Sequence, residues 1–182
     1  MRIEWRKYEI NGKEIDALVT IPERLDRWRL RRLYSKWKKL NKSIKKISTR
    51  GINLPEAISE NAFCIFFPEC VRVVKLKKGK CSYDVLNMKT GERIQIKASS
   101  IDEDLSSFGP RSEWDTLYFL DFSAGDGSFK AYKIEADWIY KHKVNKNQNF
   151  EDQQVQGKRP RFSIVDNIIK PRNLKPVKIC KL

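Results

Sequence analysis

The spacing of hydrophobic residues changes along this chain from a short alternating stretch, through helical steps, to a series of short apolar runs. Residues 4–20 are typical of a hairpin, because Asn11-Gly12 separates two strand-like runs and both residues tolerate positive φ. Residues 22–48 carry apolar side chains at alternating steps of three and four, which predicts one long amphipathic helix. Its predicted buried stripe consists of Leu30, Leu33, Trp37, Leu40, Ile44 and Ile47.

A second helix and a series of strands are predicted next. The helix should begin at Asn53-Leu54-Pro55, since Asn suits the N-cap and Pro is tolerated in the first turn. Residues 56–67 are mostly apolar, so we expect this helix to be buried. After Pro68 the pattern changes to short β-branched or aromatic runs separated by Gly, Asp and Lys. The predicted strands are residues 71–76, 81–87, 93–99, 116–122 and 129–134.

These elements predict an α+β protein of the α/β-sandwich type, with a mixed central β-sheet flanked by helices. Residues 1–50 should form the hairpin and the first helix, and residues 51–182 the core, within one compact domain. From Lys141 onward the chain turns polar, so we expect a loop region rich in Gln and Arg.

Basic residues outnumber acidic ones by 38 to 23, and the formal net charge is +15. This balance indicates a polyanionic partner, because neutralised phosphates release counterions. Charge alone does not distinguish DNA from RNA or from an anionic membrane. The predicted first helix carries many Arg and Lys residues, whose repulsion a phosphate backbone would relieve; the alternative is a solvated helix face. Candidate DNA contacts on this helix are Arg31, Lys39 and Lys42.

Several classes of protein do not fit the sequence. It contains no run of about 18 apolar residues, which excludes a membrane span. Residues 1–12 lack the apolar core of a signal peptide, so we expect the protein in the cytoplasm. The four cysteines show no Cys-x-x-Cys spacing, and the single histidine, His142, stands far from them in sequence. This argues against a zinc site and favours reduced, structural thiols.

Residues 81–98 carry the candidate chemistry. A hairpin closed by the four residues Met88–Gly91 places Asp84 opposite Gln95 and Ser82 opposite Lys97. Because side chains alternate along a strand, these four polar residues should share one face. The opposite face is then apolar, as a buried face should be, and consists of Tyr83, Val85, Ile94 and Ile96.

Hydrolysis of a phosphodiester requires such a set of side chains. A carboxylate holds Mg²⁺ against the phosphate, a second oxygen ligand fixes the ion, and a cation orients the attacking water. Asp84 is the candidate first ligand, the side-chain carbonyl of Gln95 the second, and Lys97 the cation. Directly opposed residues lie about 5 Å apart, close enough to share one ion. From spacing alone, a solvated strand face remains the alternative, because many surface hairpins would match.

This hairpin resembles the core of the PD-(D/E)XK nucleases, in which an Asp on one strand precedes an acid-x-Lys on the next. Gln95 stands where Asp or Glu is commoner, and Tyr83 replaces the Pro; Gln-x-Lys variants belong to the known range of this superfamily. A helix ahead of the hairpin often supplies an extra acid there. The resemblance therefore suggests Glu60, one turn after Glu56, as a further metal ligand; the alternative is an ordinary surface glutamate.

Longer stretches resemble a small subfamily of type II restriction enzymes that cuts the interrupted palindrome GCNGC. The resemblance implies a sheet-and-helix nuclease core that uses Mg²⁺ and no other small-molecule cofactor. It also implies a homodimer that cuts double-stranded DNA at a two-fold symmetric site, with no membrane partner. The similar stretches are residues 50–60, 94–100, 107–115 and 152–162.

Other polar residues are candidates for base reading or for minor roles. Asp115 and Asp121 are more typical of strand-end caps than of ligands, and His142 is expected in an exposed loop, with a general base as the alternative. Arg recognises the guanine edge and Gln the adenine edge, so the polar C-terminal stretch, held in shape by Gly157 and Pro160, is the best candidate for reading sequence. Its alternative is a phosphate-contacting or solvated loop. The candidate readers are Gln153, Gln154, Gln156, Lys158, Arg159 and Arg161, with Asn145 and Gln148 behind them.

Rival functions stay open at this point. A non-catalytic nucleic-acid-binding module would use the basic helix without requiring Asp84 or a metal. A repair or junction-resolving nuclease of the same superfamily would cut by DNA structure instead of sequence. A scaffold protein is the third alternative.

Overall fold

One β-sheet crosses the whole protein, with the first strand at one edge and the last strand at the other. The computed structural model describes residues 1–182 except Asn11, Arg24 and Glu103, so the predicted turn residue Asn11 lies outside the described part. The strands are β1 Arg2–Ile10, β2 Lys13–Ile21, β3 Cys70–Leu76, β4 Val85–Asn87, β5 Arg93–Ser99, β6 Ser106–Ser107, β7 Thr116–Asp121, β8 Ser128–Glu135, β9 Arg161–Phe162 and β10 Lys178–Lys181.

Among the described residues the main sheet has eight strands, in the order β1-β2-β3-β4-β5-β7-β8-β10, and β6 pairs with β9 separately. Neighbouring strands of the main sheet are antiparallel except β5 and β7, which run parallel. The sheet is therefore mixed, as predicted. The predicted N-terminal hairpin is also confirmed, since β1 and β2 pair along their whole length and β2 continues into the sheet through β3.

Helices cover both faces of this sheet. They are α1 Asp26–Ile44, α2 Glu56–Phe66, α3 Ala136–Tyr140 and α4 Phe150–Val155, followed by a π-helical turn at Val165–Ile169. α1 and α2 pack into one hydrophobic cluster with Ile94 and Ile96 of β5, whereas α3, α4 and the π-helical turn pack into a second cluster with Leu117 and Phe119 of β7. The predicted α+β architecture is confirmed. Within the described chain, none of the helices is both long and apolar enough to span a bilayer.

α1 buries only part of the stripe that its periodicity predicts: Leu30 and Trp37 are buried as predicted. The predicted members Leu33, Leu40 and Ile47 are exposed by 50%, 54% and 86%. Tyr34 is buried instead, and its ring stacks on Phe122 with centroids 5.8 Å apart. A tyrosine ring buries more area than a leucine side chain, so the aromatic contact decides which side of the helix faces the sheet.

α2 begins two residues later than predicted. Its N-cap is Pro55, and Asn53 makes no side-chain cap. The main-chain carbonyl of Asn53 instead accepts a hydrogen bond from Nε1 of Trp37 at 3.0 Å, which ties the preceding segment to α1. The predicted burial of α2 is confirmed, because residues 58–64 are all buried.

The polar C-terminal part is folded and is not the loop that the sequence predicts. Asn149 and Asp152 form a capping box at the start of α4: each side chain accepts from the other residue's N–H, at 2.7 and 2.8 Å. Gly157, with φ 69°, ends the helix, and the Lys158 N–H donates to the carbonyl of Gln153 at 2.9 Å. The helix has six residues and buries mainly Phe150, so no apolar period reveals it in the sequence.

Candidate active site

The hairpin between β4 and β5 has the predicted register. Val85 pairs with Ile94, as counting back from a Met88–Gly91 turn requires. Gly91 has φ 73°, a conformation that residues with a Cβ rarely adopt. The ladder ends at the Val85–Ile94 pair, so Asp84 is not paired opposite Gln95 as predicted, but the two side chains are in contact through a hydrogen bond from the Gln95 amide nitrogen.

The alternation of side chains breaks at Asp84. The Asp84 N–H donates to the carbonyl of Ile94 at 3.0 Å, although Ile94 is already the ladder partner of Val85. Two residues of one strand thus face a single residue of the other, which reverses the faces of the residues before the shift. As a result Tyr83 packs in the cluster of Leu86, and the prediction that Tyr83 shares a face with Val85 is wrong.

The same shift removes Ser82 from the predicted polar face. Its hydroxyl donates to the carbonyl of Glu113 at 3.0 Å, so Ser82 contacts the loop before β7. The prediction that Ser82 lies opposite Lys97 is therefore wrong.

Asp84 fills an opening where β4 stops pairing with β5. The main-chain N–H of Ile96 donates to Oδ2 of Asp84 at 2.8 Å, and the side-chain nitrogen of Gln95 donates to the same oxygen. The carboxylate thus takes the place of a backbone acceptor on β4. Burial raises the pKa of Asp84 to about 6, while the hydrogen bond from Ile96 and the positive charge of Lys97 act to lower this pKa.

Glu60 reaches the same place from α2. It is buried, with 4% of its surface exposed, so the alternative of an ordinary surface glutamate is wrong. Its Oε2 accepts a hydrogen bond from Nε of Arg72 on β3. Burial, and next the negative charge of Asp84, raise the pKa of Glu60 to about 7. The two carboxyl groups are therefore close enough to disfavour each other's ionised form.

Lys97 lies two residues beyond Gln95 on β5 and is half-buried. Its Nζ stands 5.2 Å from the centroid of the Phe108 ring, and the face of an aromatic ring attracts a cation. The positive charge of Lys97 acts on Asp84, as the pKa of that carboxyl shows. The charge of the ammonium therefore favours the ionised form of Asp84.

These donors fit a hard divalent cation. Asp84 and Glu60 offer carboxylate oxygens and Gln95 an amide oxygen, the ligand types that Mg²⁺ prefers. Burial disfavours the ionised form of both carboxylates, and the negative charge of Asp84 further disfavours that of Glu60. A bound cation would favour both ionised forms. Ligation by Gln95 requires a half-turn of its terminal amide, because its nitrogen now faces Asp84. The described residues contain no cluster of three or more His, Cys, Asp and Glu arranged for a metal, so this site relies on two acids and an amide.

Comparison with known proteins identifies relatives of the chain. A model of the Bsp6I restriction endonuclease family matches residues 23–171, which include Glu60, Asp84, Gln95 and Lys97. The chain belongs to this family. Type II restriction enzyme Bsp6I of Bacillus sp. (strain RFL6) is 40% identical to it over 147 residues, which cover 79% of this chain and 81% of the relative. No solved structure matches the chain.

Membership of the Bsp6I family confirms the predicted activity. The chain is a type II restriction endonuclease, a site-specific deoxyribonuclease whose substrate is double-stranded DNA. Enzymes of this type generally need a divalent metal ion. The alternatives of a non-catalytic binding module and of a scaffold protein are set aside by this finding.

The three residues with minor predicted roles in the endonuclease, Asp115, Asp121 and His142, make contacts within the fold. Asp115 accepts from the main-chain N–H and the guanidinium of Arg93, both at 2.8 Å, and Asp121 accepts a main-chain N–H two residues further on. Both therefore cap strand ends. His142 is half-buried against the Phe162 ring at 4.3 Å, so its predicted exposure is wrong, and burial lowers its pKa.

The predicted phosphate contacts on α1 are on the surface of the endonuclease. Arg31, Lys39 and Lys42 are exposed. Their neighbour Arg27 is engaged within the fold, since its Nε donates to a main-chain oxygen of β10 at 2.9 Å. Fewer basic residues of α1 are therefore free to contact DNA than the sequence alone suggests, because Arg27 is held within the fold.

The candidate base readers fall into two groups. Gln153 and Gln154 are half-buried on α4, and Nε2 of Gln154 donates to the carbonyl of Gly109 at 2.9 Å. The Gln154 side chain therefore supports the fold by joining α4 to the loop before β7. The exposed group comprises Gln156, Lys158, Arg159 and Arg161. Of these, Gln156 lines a cavity of about 800 Å³ together with residues 145–148.

Two residues that support these sites were not found from the sequence. Arg72 looks like the outward-facing arginine of an alternating strand, yet it binds Glu60. Asp104 is buried and accepts from the hydroxyl of Ser163 at 2.6 Å and from the main-chain N–H groups of Ile164 and Val165 at 2.9 and 3.0 Å. No pattern around Asp104 in the sequence indicates that its side chain will accept hydrogen bonds from a segment about 60 residues further along the chain.

Proposed function

We propose that the endonuclease hydrolyses DNA with Mg²⁺ at a site formed by Asp84, Glu60, Gln95 and Lys97. The observation that supports this is their convergence at the opening between β4 and β5. A mixed sheet with Asp84 and Gln95 on adjacent strands also fits a PD-(D/E)XK nuclease core.

Some residues of the site would bind the metal ion, and Lys97 would act on the attacking water. Mg²⁺, when bound, supplies a Lewis acid that lowers the pKa of water and polarises a phosphoryl oxygen. Asp84 and Glu60 would hold the ion through carboxylate oxygens, and Gln95 through a neutral one. Lys97, held by the Phe108 ring, would orient the attacking water and offset the negative charge that develops on the phosphate.

We propose that the exposed side chains that follow α4 recognise the bases of the DNA target. Arg159 and Arg161 have planar guanidinium groups that suit the O6 and N7 atoms of guanine, and a GC-rich target such as GCNGC would favour them. A palindrome presents two equivalent half-sites, so we propose that a homodimer binds it. Its DNA substrate suggests that the enzyme acts in the bacterial cytoplasm.

Digestion of a plasmid of known sequence tests this proposal. With Mg²⁺, wild-type protein should produce discrete fragments whose ends map to GCNGC, and chelation of the metal should stop the reaction. Discrete fragments with other ends would overturn the target but keep the activity. Cleavage confined to branched or damaged DNA would favour a structure-specific nuclease instead. Analytical ultracentrifugation checks the dimer, and a monomer on a palindromic duplex would overturn that part.

A further inference from the structure

Arg72 binds one of the proposed metal ligands directly. It lies on β3 opposite Val85, the residue that follows Asp84, and its Nε donates to Oε2 of Glu60. The side chain of Glu60 is 6% exposed and that of Arg72 21%, so water screens this ion pair much less than a surface pair. The contact is therefore a substantial charge interaction within the site.

The charge of Arg72 acts on both carboxylates. It lowers the pKa of Glu60 and that of Asp84, against the larger effect of burial on each. A single guanidinium thus partly compensates the two acids that would otherwise receive a metal ion. Its position is held by the ladder between β3 and β4, in which Val71 pairs with Leu86.

We propose that Arg72 competes with the divalent cation for Glu60, so that metal binding displaces its guanidinium from that carboxylate. This inference rests on the proposed metal site. The Glu60 oxygen that accepts from Arg72 is a candidate metal-binding atom, and its lone pairs cannot serve both partners fully. A divalent ion beside a guanidinium is also repelled by it, in a place that is largely shielded from water.

The competition has a consequence for the free enzyme. Arg72 favours the ionised form of Glu60, which a metal ligand needs, yet reduces the affinity for the metal. At a pH well above the pKa of Glu60, where protonation of this carboxyl no longer limits metal binding, removing the charge of Arg72 should therefore tighten metal binding. This is the opposite of what loss of a merely structural ion pair would do.

An NMR titration of the wild-type protein with Mg²⁺, without DNA, tests the displacement. The main-chain amide of Ile96 reports on the Asp84 carboxylate that it binds, and the Nε–H of Arg72, assigned by its absence in Arg72→Lys, reports on the Glu60 contact. Both resonances should move with the same Mg²⁺ dependence. If the Ile96 amide resonance shifts to saturation while the Arg72 Nε–H resonance does not move, the competition is overturned and the metal site remains supported. No shift of either would overturn the metal site itself, and the inference with it.

Calorimetric titration with Mn²⁺ measures the size of the effect. Arg72→Met should bind Mn²⁺ about tenfold more tightly than wild type. The matched control is Arg6→Met, which removes the same charge and also breaks an Nε contact to a glutamate, Glu4, far away on β1. Arg6→Met should bind Mn²⁺ as wild type does. Unchanged or weaker binding by folded Arg72→Met contradicts the inference; if this variant does not fold, the NMR titration of the wild type decides alone.

Discussion

Ile96 donates its main-chain N–H to the carboxylate of Asp84 at 2.8 Å, and this bond joins the two strands of the site just beyond the end of their ladder. Asp84 therefore has a structural contact as well as a proposed chemical role. Asn keeps an oxygen that accepts from Ile96 but loses the charge. Asp84→Asn therefore removes the proposed chemical role and keeps the structural contact, whereas Asp84→Ala removes both.

The first prediction concerns the charged residues of the site. Asp84→Asn, Asp84→Ala and Lys97→Ala should each abolish cleavage, because a metal ligand or the water-orienting cation is lost. DNA binding should stay within about tenfold of wild type, since phosphate contacts elsewhere carry the affinity. Plasmid cleavage and binding in Ca²⁺ measure the two effects.

Charge-matched controls for this experiment lie on the surface of the protein. Asp137→Asn and Lys7→Ala remove exposed charges that pair with Lys141 and Glu14. Both should cut as wild type does. Full activity in any of the three site variants would refute the assignment.

Gln95 is tested by exchanging its neutral oxygen for a charged one. Gln95→Glu should retain activity, because a carboxylate also binds Mg²⁺, whereas Gln95→Ala should lose it. The measurement is the single-turnover cleavage rate as a function of Mg²⁺ concentration. If both variants cut at the wild-type rate, Gln95 is not a ligand.

The contribution of Glu60 and Asp84 to the stability of the metal-free protein should fall as the pH rises. Burial raises the pKa of Glu60 from 4.5 to about 7 and that of Asp84 from 3.8 to about 6. Between these values the folded state binds more protons than the unfolded chain, so the stabilisation present below pH 4 is lost as the pH rises towards 7. Glu60→Gln should flatten this loss by no more than about 3 kcal/mol. Denaturant unfolding at pH 5 and pH 8 measures it, and parallel pH profiles for the two proteins would count against the site.

The two basic regions should differ in how they bind DNA. Lys39→Ala or Lys42→Ala should weaken binding to every duplex and reduce the slope of log affinity against log salt by about one unit. Arg159→Ala or Arg161→Ala should instead cost about 1–3 kcal/mol on the target alone. Salt titrations on target and scrambled duplexes compare them. Equal losses on both duplexes in the arginine variants would mean that specificity lies elsewhere.

Asp104 should be a stabilising residue, because it accepts hydrogen bonds from the segment after β9 while buried. Asp104→Ala leaves the N–H groups of Ile164 and Val165 without this acceptor and should lower the free energy of unfolding by roughly 2–4 kcal/mol. Asp126→Ala is a control, since this exposed Asp also accepts from a main-chain N–H and should cost less. Similar losses in the two variants, measured by denaturant unfolding, would contradict the role of Asp104.

Much of the site follows from local rules of the sequence. A glycine-containing turn sets the register of the hairpin, and the register brings Asp84 beside Gln95 because only a few residues separate them from the turn. The five core strands and the burial of α2 also follow from the periods of apolar residues, which depend on neighbours along the chain.

What only the tertiary structure decides depends on partners distant in sequence. The shift at Asp84 turns Tyr83 and Ser82 away from their predicted faces, and no local pattern contains it. Tyr34 replaces Leu33 in the core because Phe122 offers it a ring to pack against. Arg72 meets Glu60 because β3 passes under α2, a contact that depends on how helix and sheet pack. The sequence by itself thus determined which residue types carry the chemistry, while packing between remote elements determined which of them meet.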